Sequence, residues 1–228
     1  MKKLLVIALI GLTLTSQLNA GPFVPDEEQP LPAPVVPAPA PVPVMPALDD
    51  DGVLDLSDLR LGNAGIIAIA PHFPVDMRGL YLLNNNIGPA GAMAIAQNLY
   101  RTPNLIFLII KGNHIGVAGT RAIAQQLSDL DGGLQNLDLS NNYMGNAEMI
   151  ELLSHPLPPN LEALVLSSNH IGDAGIITLA NGLQQNPIAN NSMLFLADNE
   201  FGDDGKQALR NAGYEERGEW WERNAPAA

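Results

Sequence analysis

The nine residues LDLSNNYMG, positions 137–145, decide the fold of this 228-residue chain, because their pattern recurs along it. Leucine alternates with a polar residue over the first positions, which predicts a short strand with one buried face. Asparagine stands at the sixth position and glycine at the ninth. Four further copies and a degenerate first copy share this layout: LDLSDLRLG (54–62), LYLLNNNIG (80–88), LIIKGNHIG (108–116), LVLSSNHIG (164–172) and LFLADNEFG (194–202).

The sixth position of the pattern has a regular spacing of 26 to 30 residues. A fixed period of this length is typical of repeat proteins. One asparagine amide can bond both a carbonyl and an amide proton, so stacked copies predict a ladder of asparagines. Alanine-rich helical stretches such as AGAMAIAQNL (90–99) follow the copies and close each turn. The predicted ladder consists of Asn85, Asn113, Asn142, Asn169 and Asn199, with Leu59 in that place in the first copy.

The pattern L-x-L-x-x-N-x-I-G-x-x-G, followed by an A-I-A-x-x-L helix, resembles the ribonuclease-inhibitor-like subfamily of leucine-rich-repeat proteins. The resemblance covers about residues 51–211. It implies a curved α/β solenoid of about six repeats, with parallel strands on the concave face and helices on the convex face. The first copy lacks the asparagine, as in a capping repeat, and the fourth has Glu148 in place of the second glycine.

The residues between the core leucines are predicted to point to the concave face. Exposed apolar groups of this size mark interaction sites, and aromatic residues dominate binding hot spots. A slipped register, or a loop or proline-rich segment covering these side chains, is the alternative. The predicted partner-binding residues are Tyr81, Leu83, Phe107 and Ile109 in a first cluster, Val165, Met193 and Phe195 in a second, and Asp138 between them.

Both ends of the chain differ from the repeats. Residues 1–20 have the basic start, apolar run and small final residue of a secretory signal peptide, with an uncleaved interfacial anchor as the alternative. Prolines alternate with alanine and valine over residues 21–50, which predicts an extended spacer or, alternatively, a ligand for a proline-recognition groove. Residues 212–228 are interpreted as a C-terminal cap and tail, in which two tryptophans cover the open end of the core or form a binding patch.

The composition excludes several classes of function. Eleven Lys and Arg stand against 24 Asp and Glu, so nucleic-acid binding is not expected. No apolar run of spanning length follows residue 20, and we expect no membrane insertion after signal cleavage. Cysteine is absent, and no nucleophile, metal or cofactor motif is present, so we expect neither an enzyme nor a bound cofactor or metal. His114 and His170 hold equivalent repeat positions and are interpreted as exposed side chains too far apart to share a metal ion.

The sequence therefore predicts an exported recognition module, periplasmic or extracellular, that binds another protein through its concave face. That partner would be an envelope protein or a host protein. The alternative is a structural envelope or surface protein that self-associates through the same face. The sequence does not specify the oligomeric state.

Overall fold

The computed structural model describes residues 45–130 and 133–223, and the predicted signal peptide and nearly all of the predicted spacer lie outside them. Strands and helices alternate from the first repeat to the sixth, and two further strands follow the last helix. No helix among the described residues is long and apolar enough to cross a membrane. The elements are β1 (Val53–Asp55), α1 (Gly62–Ile69), β2 (Gly79–Tyr81), α2 (Pro89–Leu99), β3 (Phe107–Ile109), α3 (Gly116–Asp129), β4 (Asn136–Asp138), α4 (Asn146–Leu152), β5 (Ala163–Val165), α5 (Asp173–Gln185), β6 (Met193–Phe195), α6 (Asp203–Asn211), β7 (Tyr214–Glu216) and β8 (Trp220–Arg223).

The sheet confirms the predicted repeat architecture. Strands β1 to β6 pair in parallel and in sequence order, and the first leucine of each copy pairs with that of the next copy. At one edge, β8 pairs antiparallel with β6, and β7 then pairs antiparallel with β8. The sheet is open, with β1 and β7 as its edge strands. This architecture is the predicted open α/β solenoid of about six repeats.

The core lies between the strands and the helices. In the second copy, for example, Leu80 and Leu82 are fully buried, and Ile95 and Leu99 of α2 are buried with them. Alanines such as Ala96 occupy the inner helix face, and their small side chains let each helix approach the strand layer. The alternation of leucine with other residues in the strands, together with the helical period of the apolar residues that follow, therefore produces a two-layer core.

The turn after each strand contains a residue with left-handed backbone, immediately before the sixth position of the pattern. Asparagine, aspartate and glycine tolerate this conformation better than other residues, which accounts for their frequency there. The glycine at the ninth position varies: Gly88, Gly145 and Gly172 have negative φ and directly precede α2, α4 and α5, whereas Gly62 and Gly116 are left-handed, with φ of 56° and 59°. The left-handed residues are Asp58, Asn84, Gly112, Asn141, Ser168 and Asp198, with φ between 51° and 71°.

The two ends of the repeat stack are covered differently. At the first repeat, Met45 and Leu48 pack against the core, and Asp49 bonds the backbone of Val53 at the outer edge of β1. At the last repeat, β7 and β8 form a hairpin whose Tyr214 and Trp221 side chains are buried. Burial raises the pKa of Tyr214 above its ordinary value, against a hydrogen bond with Ser192 that lowers it.

Candidate functional site

The helices cover one face of the sheet, and we call the other face the open face. Side chains of the central strand residue point into the core, so the flanking residues form two rows on the open face. All eight predicted partner-binding residues are half-buried. The first row is Val53, Gly79, Phe107, Asn136, Ala163 and Met193, and the second is Asp55, Tyr81, Ile109, Asp138, Val165 and Phe195.

Three residues of the first predicted cluster, Tyr81, Phe107 and Ile109, lie on neighbouring strands, whereas Leu83 follows the end of β2 and lies outside the two rows. Tyr81 and Ile109 are paired across β2 and β3, and Phe107 is paired with Gly79. A Cβ atom on Gly79 would lie 3.4 Å from Cε1 of Tyr81 and 2.9 Å from Cγ2 of Val53. Glycine therefore leaves room for the tyrosine ring to lie along the strand, and it gives the phenylalanine no side chain opposite.

A groove of about 370 Å³ lies at the amino-terminal side of this cluster. Arg78, Pro103 and Ile106 are among its lining residues, and Phe107 directly follows Ile106. The carbonyl of Arg78 accepts hydrogen bonds from both Ile106 and Phe107, so the turns before β2 and β3 are held together. The first cluster thus continues into a concave surface with one guanidinium group beside it.

In the structure, Trp220 adjoins the second predicted cluster, although the sequence predicted that this residue covers the core. Val165 and Phe195 are paired across β5 and β6, and Trp220 of β8 is paired with Phe195 on its other side. The ring centroids of Phe195 and Trp220 are 6.3 Å apart, within the range of aromatic pairs. Trp220 is 37% exposed, whereas Trp221 is 4% exposed and packs in the core.

The interpretation of both tryptophans as a core cover is therefore wrong for Trp220. Consecutive residues of a strand point to opposite faces, so two adjacent tryptophans in a strand cannot both enter the core. This alternation was a signal in the sequence, but it applies only once residues 220–223 are recognised as a strand.

Asp138 lies between the two clusters, on β4. Its Oδ1 atom accepts hydrogen bonds from the backbone amide of Ser140 at 2.8 Å and from the Ser140 hydroxyl at 2.6 Å. The carboxylate is therefore oriented by its own strand end. On β4 the open face is polar, with Asn136 in the first row and Asp138 in the second.

The five predicted ladder asparagines connect consecutive repeats. The side-chain oxygen of Asn113 accepts hydrogen bonds from the backbone amides of Asn85 and Ile87. Its amide nitrogen donates to the carbonyls of Leu82 in the preceding repeat and Ile110 in its own repeat. Asn85, Asn142, Asn169 and Asn199 also each donate to one carbonyl of the preceding repeat and to at least one carbonyl of their own repeat.

The structure also contains a second series of contacts between repeats that the sequence analysis missed. Oδ1 of Asn63, at the start of α1, accepts hydrogen bonds from the amides of Gly88 and Gly91 at the start of α2. Asn146 caps α5 in the same way, and Asp173 caps α6. The starts of α2, α5 and α6 are thus stabilised by a side chain of the preceding repeat, whereas α4 follows a glycine whose amide donates to the helix's own Glu148.

The two histidines at equivalent repeat positions belong to an exposed row. His114 stacks on Tyr143 with ring centroids 4.9 Å apart, and Tyr143 lies 5.9 Å from His170. Nδ1 of His170 is 2.7 Å from Oε1 of Glu200. No group of three or more metal-ligating side chains occurs among the described residues.

Comparison with known proteins gives two results. A sequence model described as the leucine-rich repeat matches residues 78–96 and 158–180, which span the second strand with part of its helix and the fifth strand with part of its helix. No curated protein matches the chain. Leucine-rich-repeat domains are generally protein-binding scaffolds without enzymatic activity. The two matched repeats, together with six stacked parallel strands, support the assignment of this chain as a leucine-rich-repeat protein.

Proposed function

We propose that this protein is an exported recognition module that binds another protein through the open face of its sheet. The single observation that carries the proposal is the pair of apolar clusters on that face, one around Phe107 and one around Phe195. Aromatic side chains on a rigid sheet lose little conformational entropy on binding, and such residues dominate interface energies.

The arrangement suits a partner with two apolar anchors. Phe107 lies on β3 and Phe195 on β6, three strands apart, so the clusters are separated by about 14 Å at the usual strand spacing. Asp138 lies between them and offers an oriented carboxylate to a donor on the partner. We therefore expect a partner segment with apolar residues at both ends and a hydrogen-bond donor or a cation between them.

Export is part of the proposal. The support is the signal-peptide layout of residues 1–20 and the proline-rich stretch that follows it. We expect the exported chain to begin at Gly21 and to reside in the periplasm or outside the cell. The intact mass of the chain recovered from the envelope or the medium tests this, and a mass that retains residues 1–20 contradicts it.

The binding surface is tested by adding a charge to the first cluster. Phe107→Asp places a carboxylate in the cluster that contains Tyr81 and Ile109, and we expect it to weaken binding by about 2 kcal/mol or more. The melting temperature stays near that of the unaltered chain, because surface changes usually alter stability by less than about 0.5 kcal/mol. A partner captured with the chain as bait is titrated against both proteins by calorimetry.

His114→Ala and His170→Ala are the controls, since both side chains belong to the exposed row outside the two clusters, and we expect both variants to bind nearly normally. A folded Phe107→Asp variant that retains full affinity would overturn the open-face proposal. Self-association through this face would instead appear as a concentration-dependent mass that Phe107→Asp abolishes without any added partner.

A further inference from the structure

The outer surface of the helices has an apolar character that neither the core nor the open face explains. One equivalent position, five residues after the ninth-position glycine, is exposed in each of the first five helices. It holds Ile67, Met93, Arg121, Ile150 and Ile177, and we call these five residues the helix-face stripe. The four apolar members are 37 to 59% exposed.

Small apolar residues surround the stripe. Three residues earlier on each of these helices, and so on the same helix face, stands an exposed alanine. Helices α1 and α2 contain no charged residue at all. Their polar residues are Asn63, Gln97 and Asn98, and the other residues are apolar or glycine, although the described residues bury only the inner side of these helices. The exposed alanines are Ala64, Ala90, Ala118, Ala147 and Ala174.

The charged side chains described on α3, α4 and α5 are already engaged within the chain. Arg121 forms two hydrogen bonds to Glu151, of 2.6 and 2.7 Å, across α3 and α4. These bonds lower the pKa of Glu151 and raise that of Arg121, so the pair is ionised near neutral pH. Glu148 bonds the amide of Gly145, and Asp173 caps α6. This surface therefore offers a charged partner little to pair with.

The apolar and charged residues of the stripe follow the same order from either end. Two apolar residues, Ile67 and Met93, precede Arg121, and two apolar residues, Ile150 and Ile177, follow it. The stripe ends at α6, where Gln207 holds the equivalent position among charged neighbours such as Lys206. A pattern that reads alike in both directions is what an isologous two-fold interface needs, because residue i must meet residue j while j meets i.

We propose that the helix-face stripe binds a second copy of this chain about a two-fold axis near Arg121. Met93 of each chain then packs on Ile150 of the other, and Ile67 packs on Ile177. The two Arg121–Glu151 pairs come together at the axis, where alternating charges compensate one another. This assembly goes beyond the proposed recognition function and leaves both open faces free.

The area is sufficient for a weak or moderate dimer. Packed helices lie about 8–10 Å apart, so the stripe is about 36 Å long from α1 to α5. A helix of 11 residues such as α2 is about 16 Å long. The resulting surface is about 600 Å² per chain, or about 1,200 Å² in total, which is the lower end of specific interfaces.

The first test is the mass of the full chain in solution across a range of concentrations, by light scattering. We expect a shift from one to two chains with increasing concentration. Ile150→Glu and Ile177→Glu each place a carboxylate in the stripe at an exposed site, and we expect either to raise the dimer dissociation constant at least tenfold with the melting temperature of the monomer unchanged. Gln207→Glu is the matched control, since it adds the same charge at the same repeat position outside the stripe.

The second test uses the absence of cysteine from the chain. A chain with Met93→Cys mixed with a chain with Ile150→Cys should form a disulfide-linked pair under mild oxidation, faster than either variant alone. A cysteine at Phe107, on the open face, should form no such link. This outcome identifies the register of the two copies as well as the surface.

Three results would overturn the inference. One is a monomer at every concentration; phosphatidylcholine vesicles and a captured protein are then the probes that show what else covers the stripe. Another is a dimer that Ile150→Glu does not weaken, because its interface would then lie on a different surface. The last is a dimer that Phe107→Asp abolishes and Ile150→Glu does not, which would place self-association on the open face and would contradict the proposed function as well.

Discussion

At the scale of single residues, the ladder asparagines connect each repeat to the one before it through several side-chain hydrogen bonds. Asn113 replaces the missing backbone partners of two amides and three carbonyls. Asn142 makes three donor contacts, but its buried Oδ1 atom has no hydrogen-bond partner among the described residues. The same residue type at the same repeat position therefore satisfies different numbers of backbone groups.

This difference makes the ladder testable at residue level. Asn113→Ala leaves both amides and carbonyls buried without partners, and we expect a loss of about 3 kcal/mol in the free energy of unfolding. Asn142→Ala leaves only carbonyls and removes an unpaired oxygen, so we expect a loss of about 1–2 kcal/mol. Urea denaturation monitored by circular dichroism measures both.

Asn104→Ala is the control, because Asn104 is exposed in a turn outside the ladder. Asn86, one residue past a ladder position, is a poorer control, since its backbone is left-handed with φ 55° and alanine is strained there. Equal losses for Asn113→Ala and Asn104→Ala would mean that the ladder bonds add nothing to stability.

Individual residues also differ in how far their structure can be predicted from a single sequence. The strand residues at Leu80, Leu108 and Leu137 are predictable because a period-two pattern recurs at every copy and fixes the register. The unpaired oxygen of Asn142 is not predictable, because it depends on where the amides of the neighbouring turn point. The left-handed backbone of Asn86 similarly depends on the turn geometry rather than on the motif.

At the scale of elements, the helix caps explain the departure of the fourth repeat from the pattern. A Cβ atom on Gly91 would lie 2.8 Å from the capping Oδ1 of Asn63, and one on Gly175 would lie 2.7 Å from that of Asn146. Glycine is therefore needed wherever the preceding repeat supplies a cap. Before α4 the capping position is occupied by Val117, whose side chain has no polar atom. Glu148 replaces the glycine there, and its carboxylate accepts a hydrogen bond from the amide of Gly145.

This account predicts the effect of removing one cap. Asn146→Ala frees two amides at the start of α5, and we expect a loss of about 1 kcal/mol in the free energy of unfolding. Val117→Ala is the matched control at the same repeat position, since Val117 is partly exposed and caps nothing, and we expect a loss of only a few tenths of a kcal/mol. Thermal unfolding by calorimetry compares them. A Val117→Ala loss as large as that of Asn146→Ala would indicate packing rather than capping.

The element scale also separates predictable from unpredictable structure at the C-terminus. The helix α6 follows from its repeat, whereas the hairpin of β7 and β8 has no repeat to define it. Its strands are three and four residues long, and charged residues surround Trp220 and Trp221, so no alternating pattern marks a strand before the pairing with β6 is known. As a result, Trp220 lies on the open face beside Phe195, although the sequence predicted that it covers the core.

At the scale of the whole repeat stack, contacts are confined to neighbours. Among the described residues, each inner helix of the stack packs on the helix before it and the helix after it, and each inner strand pairs with its two neighbours. Stability in such an architecture is approximately a sum of repeat terms and nearest-neighbour interfaces. The ends are then the weakest points, and their covers decide where unfolding begins.

Trp221 provides the test of this view, because it is the largest side chain covering the last repeat. It pairs with Leu194, is 4% exposed, and has the guanidinium carbon of Arg210 at 5.8 Å from its ring. Trp221→Ala should cost about 3–5 kcal/mol locally, through lost burial and a cavity. Hydrogen exchange should then show lost protection in β6 and α6. Strands β2 and β3 should retain their protection, since they do not contact the last repeat directly.

Trp220→Ala, on the exposed face of the same strand, should leave protection nearly unchanged throughout. An equal loss of protection from β1 to β6 in Trp221→Ala would show instead that the stack unfolds as one cooperative unit, and that the end cover acts on every repeat at once.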